Sequence, residues 1–318
     1  MSVQKHSCLV VGAGWMAQEY LRAGKFIPNL QMFFWAPSEK NRNKIEELGG
    51  HFSTDLDELI AKYQPKFGVV ASSVETLPRM SITLLEKGIQ NLLIEKPAFM
   101  KQSDGLMLKE ESRGRKVFVA FNRRFYASAT MALNMIKQNN EKMKSVHFEF
   151  TELAADIENN AKFPEEVKNH WALANSSHVI DFGFFPIGLP KAGEWCATQS
   201  GKLPWHPSAA EMVGSGVSIK GIPFSYTANW SGVGRWSVEW VTDKTRYIFR
   251  PMEKLQVQRL GSFSYEEISL NWKYEGAKHG LVEQLDGFIN GIDSDRLLSI
   301  EESLKLHEVV SKMANYPI

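Results

Sequence analysis

The chain has 318 residues, of which 43% are hydrophobic, and its formal net charge at pH 7 is +1. This length predicts roughly two domains. The near-neutral charge argues against a broad electrostatic surface for nucleic acid or anionic membranes. The two cysteines, Cys8 and Cys196, are far apart in sequence, which excludes a disulfide framework and a zinc-binding spacing.

An apolar run at residues 8–11 ends in a G-x-G-x-x-A pattern, and helix-forming residues follow. Gly12 permits a tight turn from strand to helix, and Gly14 lets the backbone approach a pyrophosphate without a Cβ in the way. The helix that begins here directs its unpaired N–H groups at the phosphates, so we expect Trp15, Met16 and Ala17 to line the site. The strand before and the helix after the pattern favour dinucleotide binding over an ordinary glycine turn.

Strand and helix patterns alternate through the rest of the first third. Strands are predicted at 31–35, 67–71, 92–94 and 117–121, and helices at 41–48, 56–63, 78–87 and 103–112. This alternation predicts right-handed βαβ units and a doubly wound parallel sheet, an α/β fold of the Rossmann kind.

The pattern changes after residue 121. A helix is predicted at 129–137 and a strand at 146–151, followed by strand-like runs at 217–220, 224–231, 236–242, 246–250, 255–259 and 265–269. The period-two alternation and short links predict a large, mostly antiparallel open sheet with one covered face. Two helices close the chain, the second starting at a capping box formed by Ser299 and Glu302. We therefore predict an N-terminal domain over 1–121 and a C-terminal α+β domain over 122–318.

The segment after the second strand bears on the choice of cofactor. NAD-binding sites usually present an acidic residue there to the ribose 2′-hydroxyl. This chain has no carboxylate directly at the strand end, but Ser38, Lys40 and Arg42 follow it. A hydroxyl and cations could hold a 2′-phosphate, which favours NADP over NAD. The alternative is that Lys40 and Arg42 form the solvated face of the next helix.

Two further segments lie at carboxyl ends of predicted strands. Ser72 and Ser73 are small enough to let the chain pass close to a cofactor. Glu95 and Lys96 follow the apolar strand at 92–94, and Pro97 fixes the backbone next to them. A lysine buried at the mouth of a parallel sheet has a lowered pKa and can act as a general acid or base. The alternative is an ordinary surface lysine.

Taken together, the glycine pattern at 12–17, the Glu-Lys-Pro tripeptide at 95–97, the Asn-Arg-Arg-Phe stretch at 122–125 and the strand-rich second half resemble the Gfo/Idh/MocA family of oxidoreductases. The resemblance implies a Rossmann domain followed by a substrate-binding domain whose open sheet often mediates dimers or tetramers. It also implies that Glu95 and Lys96 contact the cofactor, that Lys96 lies beside the nicotinamide and the reacting carbon, and that the Lys96–Pro97 bond is cis.

The family usually carries an aspartate followed four residues later by a histidine. His178 matches the histidine, but the aspartate position is Ala174. The usual set of lysine, aspartate and histidine is thus reduced to Lys96 and His178, the two residues that we expect to be catalytic. Trp171 and Asn175 are expected to contact substrate in the same stretch. A histidine of purely structural function is the alternative for His178.

Two other positions bear on the substrate and the cofactor. Arg124 is a candidate anchor for a substrate phosphate or carboxylate, since arginine can grip such groups in bidentate fashion; an interdomain salt bridge is the alternative. Many relatives carry a histidine at the position of Leu77, so one polar contact near the cofactor is missing here.

The sequence therefore predicts an NAD(P)-dependent oxidoreductase that acts on a hydroxyl or carbonyl carbon of a sugar, sugar phosphate or nucleotide sugar. The alternatives are a reductase of another C=O or C=N group, such as a tetrapyrrole or an imine, and a non-catalytic NAD(P)-binding regulator. We expect a homodimer or homotetramer that uses no metal and binds neither nucleic acid nor membranes. Residues 1–6 do not resemble a signal peptide, and no apolar run reaches the roughly 18 residues of a membrane span, which predicts a cytoplasmic protein.

Overall fold

The computed structural model describes residues 6–317, and these form two compact units. The first unit contains the residues up to Phe125 together with Trp272–Leu304, and the second contains Tyr126–Asn271 and the residues from Lys305 onward. The prediction that the N-terminus is not a signal peptide concerns residues 1–6, and of these only His6 is among the described residues.

The first unit is built on a seven-stranded sheet. Its strands are β1 (His6–Val11), β2 (Leu30–Trp35), β3 (His51–Ser53), β4 (Phe67–Val70), β5 (Asn91–Glu95), β6 (Lys116–Ala120) and β15 (Leu298–Ser299). Its helices are α1 (Trp15–Gly24), α2 (Arg42–Glu47), α3 (Leu56–Tyr63), α4 (Leu77–Glu86), α5 (Gln102–Glu111) and α10 (Leu281–Asn290), and α11 (Ile300–Ala314) begins in this unit.

The order of the strands is β15-β6-β5-β4-β1-β2-β3, and all neighbours are parallel except β15 and β6. This arrangement confirms the predicted doubly wound parallel sheet. The strand order reverses between β1 and β4, and ligands of such sheets bind outside the carboxyl ends of the strands at this point. The turn after β1 and the segment after β4 flank this crevice.

The first unit differs from the predicted division of the chain, because residues 272–304 belong to it. Helix α10 packs against α1, with Leu281 and Leu285 fully buried in the same core as Tyr20. Strand β15 extends the sheet by pairing with β6. The sequence predicts a continuous second domain because short, separate helical patterns carry no sign of the unit on which they pack.

The second unit holds an eight-stranded sheet. Its strands are β7 (Met143–Glu149), β8 (Pro190–Ser200), β9 (Glu211–Ser218), β10 (Pro223–Asn229), β11 (Ser237–Thr242), β12 (Thr245–Phe249), β13 (Gln256–Arg259) and β14 (Glu266–Glu267). Its helices are α6 (Ala127–Gln138), α7 (Ala154–Glu158), α8 (Glu165–Asn169) and α9 (Ser177–Phe184), with the later part of α11.

The order is β14-β13-β12-β11-β7-β10-β9-β8, and only β10 and β7 run parallel. The predicted mostly antiparallel sheet is therefore confirmed. Helix α9 is buried along its whole length and packs against β7 and β11. Its Phe182 contacts Trp240 of β11 and Phe249 of β12, at ring-centre distances of 4.9 and 5.0 Å. Trp230 and Trp240 are core residues.

None of the helices within residues 6–317 is long and apolar enough to cross a membrane.

Candidate active site

The turn between β1 and α1 is held so tightly that only glycine fits at its first position. Gly12 has a φ of +120°, and a Cβ placed on it would lie 2.4 Å from the carbonyl oxygen of Ala71. Its N–H donates to the carbonyl of Trp35 at 2.8 Å. The turn is thus fixed against the ends of both strands that neighbour β1.

The second glycine of the pattern faces open space. Gly14 precedes the first residue of α1 in an extended conformation, and no atom outside its immediate chain neighbours would lie within 4 Å of a Cβ built on it. The first turn of α1 contains no acidic residue and no side-chain cap. Its N–H groups, from Trp15 to Ala17, therefore suit an anion such as the pyrophosphate of a dinucleotide. This part of the chain fits the predicted cofactor.

Small residues follow β4 on the other side of the crevice. The hydroxyl of Thr76 donates to that of Ser72 at 2.8 Å and pairs with that of Ser73 at 3.2 Å. These bonds order the segment directly after the strand. Leu77 begins α4 and is fully buried, so the position at which many relatives would carry histidine contributes to the core instead.

A half-buried acid lies at the end of β5. The hydroxyl of Tyr20, from α1, donates to Glu95 Oε1 at 2.7 Å. Burial raises the pKa of the Glu95 carboxyl, while the Tyr20 hydrogen bond and the charges of Lys278 and Lys96 act in the opposite direction. The Lys96–Pro97 bond is cis, as the resemblance implies. Lys96 is therefore held next to an acid whose side chain is tied to the cofactor-facing helix.

Of the residues expected near the adenosine ribose, Arg42 is already paired with two carboxylates. Ser38 is exposed and precedes a short 3₁₀ turn at Glu39–Asn41. The Arg42 guanidinium pairs with Glu39 at 2.7 Å and with Glu46 at 3.1 Å, and it lies 4.9 Å from the centre of the Phe52 ring. Glu39 is thus a carboxylate close to the end of β2 that the sequence analysis did not single out.

The stretch after β6 is tied to the late segment of the first unit. The Asn122 side-chain amide donates to the carbonyl of His279 at 2.9 Å, and Arg124 Nη1 donates to the carbonyl of Arg296 at 3.3 Å. One guanidinium nitrogen of Arg124 is therefore used within the fold.

In the second unit, the segment that carries the predicted substrate residues is irregular. Residues Ala172–Ser176 form a π-helical turn that leads into α9, and such turns occur frequently at functional sites. Ala174 and His178 are both buried, with 6% and 5% of their surface exposed. Trp171 lies 4.8 Å from the Phe163 ring, and Asn175 is half-buried.

A carboxylate missed by the sequence analysis lies against this turn. Glu152, shortly after β7, is 6% exposed and accepts hydrogen bonds from Ser176 Oγ at 2.6 Å and from the Asn175 side-chain amide at 3.1 Å. Burial raises the pKa of the Glu152 carboxyl, and the hydrogen bonds from Ser176 and Asn175 oppose that shift. Nothing in the local sequence pattern distinguishes Glu152 from an exposed glutamate in a loop.

No cluster of histidine, cysteine, aspartate or glutamate that could hold a metal ion occurs within residues 6–317.

Comparisons with known proteins agree with this geometry. Residues 6–122 match the model of an oxidoreductase family with an NAD-binding Rossmann fold, the Gfo/Idh/MocA family. A comparison with curated protein sequences gives no match.

Solved structures resemble the whole chain. A levoglucosan dehydrogenase in complex with NADH and levoglucosan has a TM-score of 0.77 at 15% identity, covering 98% of this chain and 96% of that one. A Gfo/Idh/MocA family oxidoreductase from Vibrio cholerae has a TM-score of 0.76 at 15% identity, covering 98% and 97%. A UDP-N-acetylglucosamine 3-dehydrogenase from Acidithiobacillus ferrooxidans has a TM-score of 0.73 at 12% identity, also covering 98% and 97%.

The glycine turn, the sheet and these matches define an NAD(P)-dependent oxidoreductase with a Rossmann domain. Residues 6–122 match the model of the Gfo/Idh/MocA oxidoreductase family, which the sequence resembles, and the chain has the α/β fold of solved structures of that family.

The two glycines of the turn should respond differently to substitution. Gly14→Val places a side chain in the open space where the pyrophosphate must approach, so we expect NADH affinity, measured by calorimetry, to fall by about tenfold or more while the fold is kept. Gly12→Ala forces a Cβ against Ala71 and should instead lower the thermal midpoint of unfolding. Unchanged NADH affinity in a folded Gly14→Val protein would contradict the site.

The buried carboxyl of Glu152 should make stability depend on pH. Because its pKa is raised in the folded protein, its contribution is fully present below the unfolded pKa of about 4.3 and is lost as the pH rises through the folded pKa. As the pH rises above the unfolded pKa of about 4.3, the thermal midpoint of the wild type should therefore fall relative to that of Glu152→Gln. Ser176→Ala removes an opposing hydrogen bond and should steepen the fall. Parallel pH curves for the wild type and Glu152→Gln would exclude this carboxyl as the titrating group.

Proposed function

We propose that the protein transfers a hydride between a nicotinamide cofactor and a hydroxyl or carbonyl carbon of a sugar, sugar phosphate or nucleotide sugar. The observation that carries this proposal is the position of Lys96, which follows β5 at the same sheet edge as the glycine turn after β1. Two structural neighbours, a levoglucosan dehydrogenase and a UDP-N-acetylglucosamine 3-dehydrogenase, support a sugar-like substrate. When bound, the nicotinamide supplies or accepts the hydride.

Lys96 gives or takes the proton of the reacting hydroxyl at its Nζ atom. Proton transfer at the oxygen bonded to the carbon that exchanges the hydride avoids a charged alkoxide or oxocarbenium product. The adjacent Glu95 is fixed by Tyr20, which holds the backbone that carries Lys96 in one orientation. Gly12 and Gly14 hold the pyrophosphate against α1, with Trp15, Met16, Ala17, Ser72 and Ser73 as further cofactor contacts.

The second unit is proposed to bind the substrate through Trp171, Asn175 and His178. The Glu152 carboxylate accepts from the amide nitrogen of Asn175, which turns the amide oxygen away from Glu152 and suits it to accept from a sugar hydroxyl. His178 would hold or relay a proton without the aspartate that relatives carry at the position of Ala174. Arg124 remains the proposed anchor for a substrate phosphate or carboxylate.

For the cofactor we propose NADP over NAD, with Ser38 and Arg42 as the residues that contact the 2′-phosphate. The strength with which Arg42 binds a 2′-phosphate depends on the neighbouring carboxylates, because Glu39 and Glu46 flank its guanidinium. A phosphate must compete with Glu39 for the same cation, whereas the Glu39 carboxylate suits a ribose hydroxyl.

The C-terminal unit is further proposed to mediate a homodimer or homotetramer through its sheet, and the protein is expected to act in the cytoplasm on a small molecule rather than on nucleic acid or membranes.

The cofactor proposal is tested by titrating NADPH and NADH. We expect tighter binding of NADPH by the wild type, and Arg42→Ala should narrow the gap because a cation beside the 2′-phosphate is lost. Arg113→Ala is a matched control, since Arg113 also pairs with a glutamate three residues away, Glu110, but at the end of α5. A wild type that prefers NADH would refute the NADP proposal.

The chemistry is tested at Lys96. Lys96→Met should keep the fold and cofactor binding but lower turnover by about 10²–10⁴-fold, the usual contribution of general acid–base catalysis. Turnover is measured as NADPH or NADH oxidation and NADP or NAD reduction across free sugars, sugar phosphates and nucleotide sugars. Lys116→Met, at the opposite end of the neighbouring strand β6, is the control. His178→Ala should cost less than Lys96→Met.

Wild-type turnover by Lys96→Met would exclude this mechanism. A wild type that binds NADPH and yet turns over none of these compounds, nor imines or tetrapyrroles, would favour the non-catalytic regulator, for which the loss of the carboxylate at Ala174 is the supporting observation.

A further inference from the structure

A lysine from late in the sequence lies beside the glycine turn. Lys278 belongs to the segment 272–280, which precedes α10 in the first unit. Its Nζ lies 4.6 Å from the centre of the Trp15 ring and 3.3 Å from Met16 Sδ. Trp15 and Met16 are the first two residues of α1, directly after Gly14. A cation more than 250 residues away in sequence is thus held at the start of this helix.

Lys278 places a positive charge next to the N-terminus of α1, which is itself positively polarised. The start of α1 carries the positive end of the helix dipole and no acidic residue in its first turn, and a cation is disfavoured there. Burial lowers the pKa of Lys278, and the charge of Arg123 lowers it further, whereas Glu95 and Glu19 raise it. The two cations are thus balanced by two carboxylates, and the positive end of the helix dipole is left without an acidic partner in its first turn.

Contacts with Trp15 and Met16 keep the ammonium in place despite this repulsion. The Trp15 ring, which is 61% exposed, offers a cation–π contact, and the Met16 sulfur is a weak acceptor. Neither group neutralises a charge. An anion that approaches the open side of Gly14 would gain from both the helix N-terminus and the ammonium.

We propose that Lys278 is a cofactor-binding residue that contacts the pyrophosphate of the dinucleotide and holds it against the first turn of α1. This inference rests on the proposed function for the identity of the anion. The pyrophosphate is the part of the cofactor expected at Gly14, whereas the 2′-phosphate is expected beyond β2, near Ser38 and Arg42. Lys278 should therefore act on NADH and NADPH alike, in contrast to Arg42.

The variant Lys278→Met tests this proposal because methionine keeps much of the apolar contact with Trp15 and removes the charge. We expect the affinities for NADH, NADPH and ADP-ribose to fall by similar factors of about tenfold or more, as for the loss of a hydrogen bond to a charged group. Binding of adenosine, which carries no phosphate, should be unchanged when it is measured by competition with NADH. The dependence of NADH affinity on salt should also weaken.

Two further variants complete the experiment. Lys273→Met is the matched control, because Lys273 is an exposed lysine of the same segment that lies 5.1 Å from the Tyr274 ring. It should bind all four probes as the wild type does. Lys278→Arg keeps the charge and should retain most of the affinity for NADH.

Equal affinities for NADH in Lys278→Met and the wild type would overturn the proposal. So would a lower thermal midpoint of the cofactor-free variant together with equal losses for adenosine and ADP-ribose, since Lys278 would then only hold the segment 272–280 on α1. A wild type that binds adenosine but no dinucleotide would instead overturn the cofactor assignment itself.

Discussion

The close approach of Gly12 to the carbonyl of Ala71 is the constraint on which the first unit depends. A Cβ built on Gly12 would lie 2.4 Å from that oxygen, so a larger residue does not fit. The N–H of Gly12 also donates to the carbonyl of Trp35, at the end of β2. The ends of three parallel strands therefore meet around one backbone position. Because α1 starts three residues later, at Trp15, this contact also decides where the helix N-terminus points. The crevice at the reversal of strand order receives its uncapped N–H groups.

Electrostatics around α1 extend this constraint to residues far along the chain. Tyr20, on the same helix, bonds Glu95 at the end of β5, and Lys278 reaches Trp15 from the segment before α10. Helix α10 packs on α1, so the late segment completes the hydrophobic core and also brings a cation to the site. Helix α1 therefore contributes both to the hydrophobic core and to the proposed cofactor site. A substitution on α1 is expected to change both the stability of the fold and the affinity for the cofactor.

The second unit shows how the fold places polar groups that a family pattern does not anticipate. Its buried helix α9 offers few positions for a charge, and the pattern's aspartate is an alanine at position 174. The carboxylate of Glu152 instead reaches the π-helical turn from the end of another element and bonds Asn175 and Ser176. The Glu152 carboxyl therefore stays protonated to a higher pH than the carboxyl of an exposed glutamate, because burial raises its pKa.

The sequence by itself determined the features that have a local pattern. The glycine turn, the alternation of strands and helices up to β6, the capping box at Ser299 and Glu302 and the position of Lys96 after β5 all follow from the spacing of neighbouring residues. These patterns were sufficient for the fold class. The sequence did not predict strand β8. This strand lies at the edge of its sheet, so most of its residues are exposed and show no apolar alternation.

Only the tertiary structure decided which distant residues meet. It placed 272–304 in the first unit, paired Arg42 with Glu39 and Glu46, and brought Lys278 to Trp15 and Glu152 to Asn175. The physical reason is that such contacts depend on how whole elements pack, and a single polar residue in a loop leaves no periodic signal of the partner that it will meet.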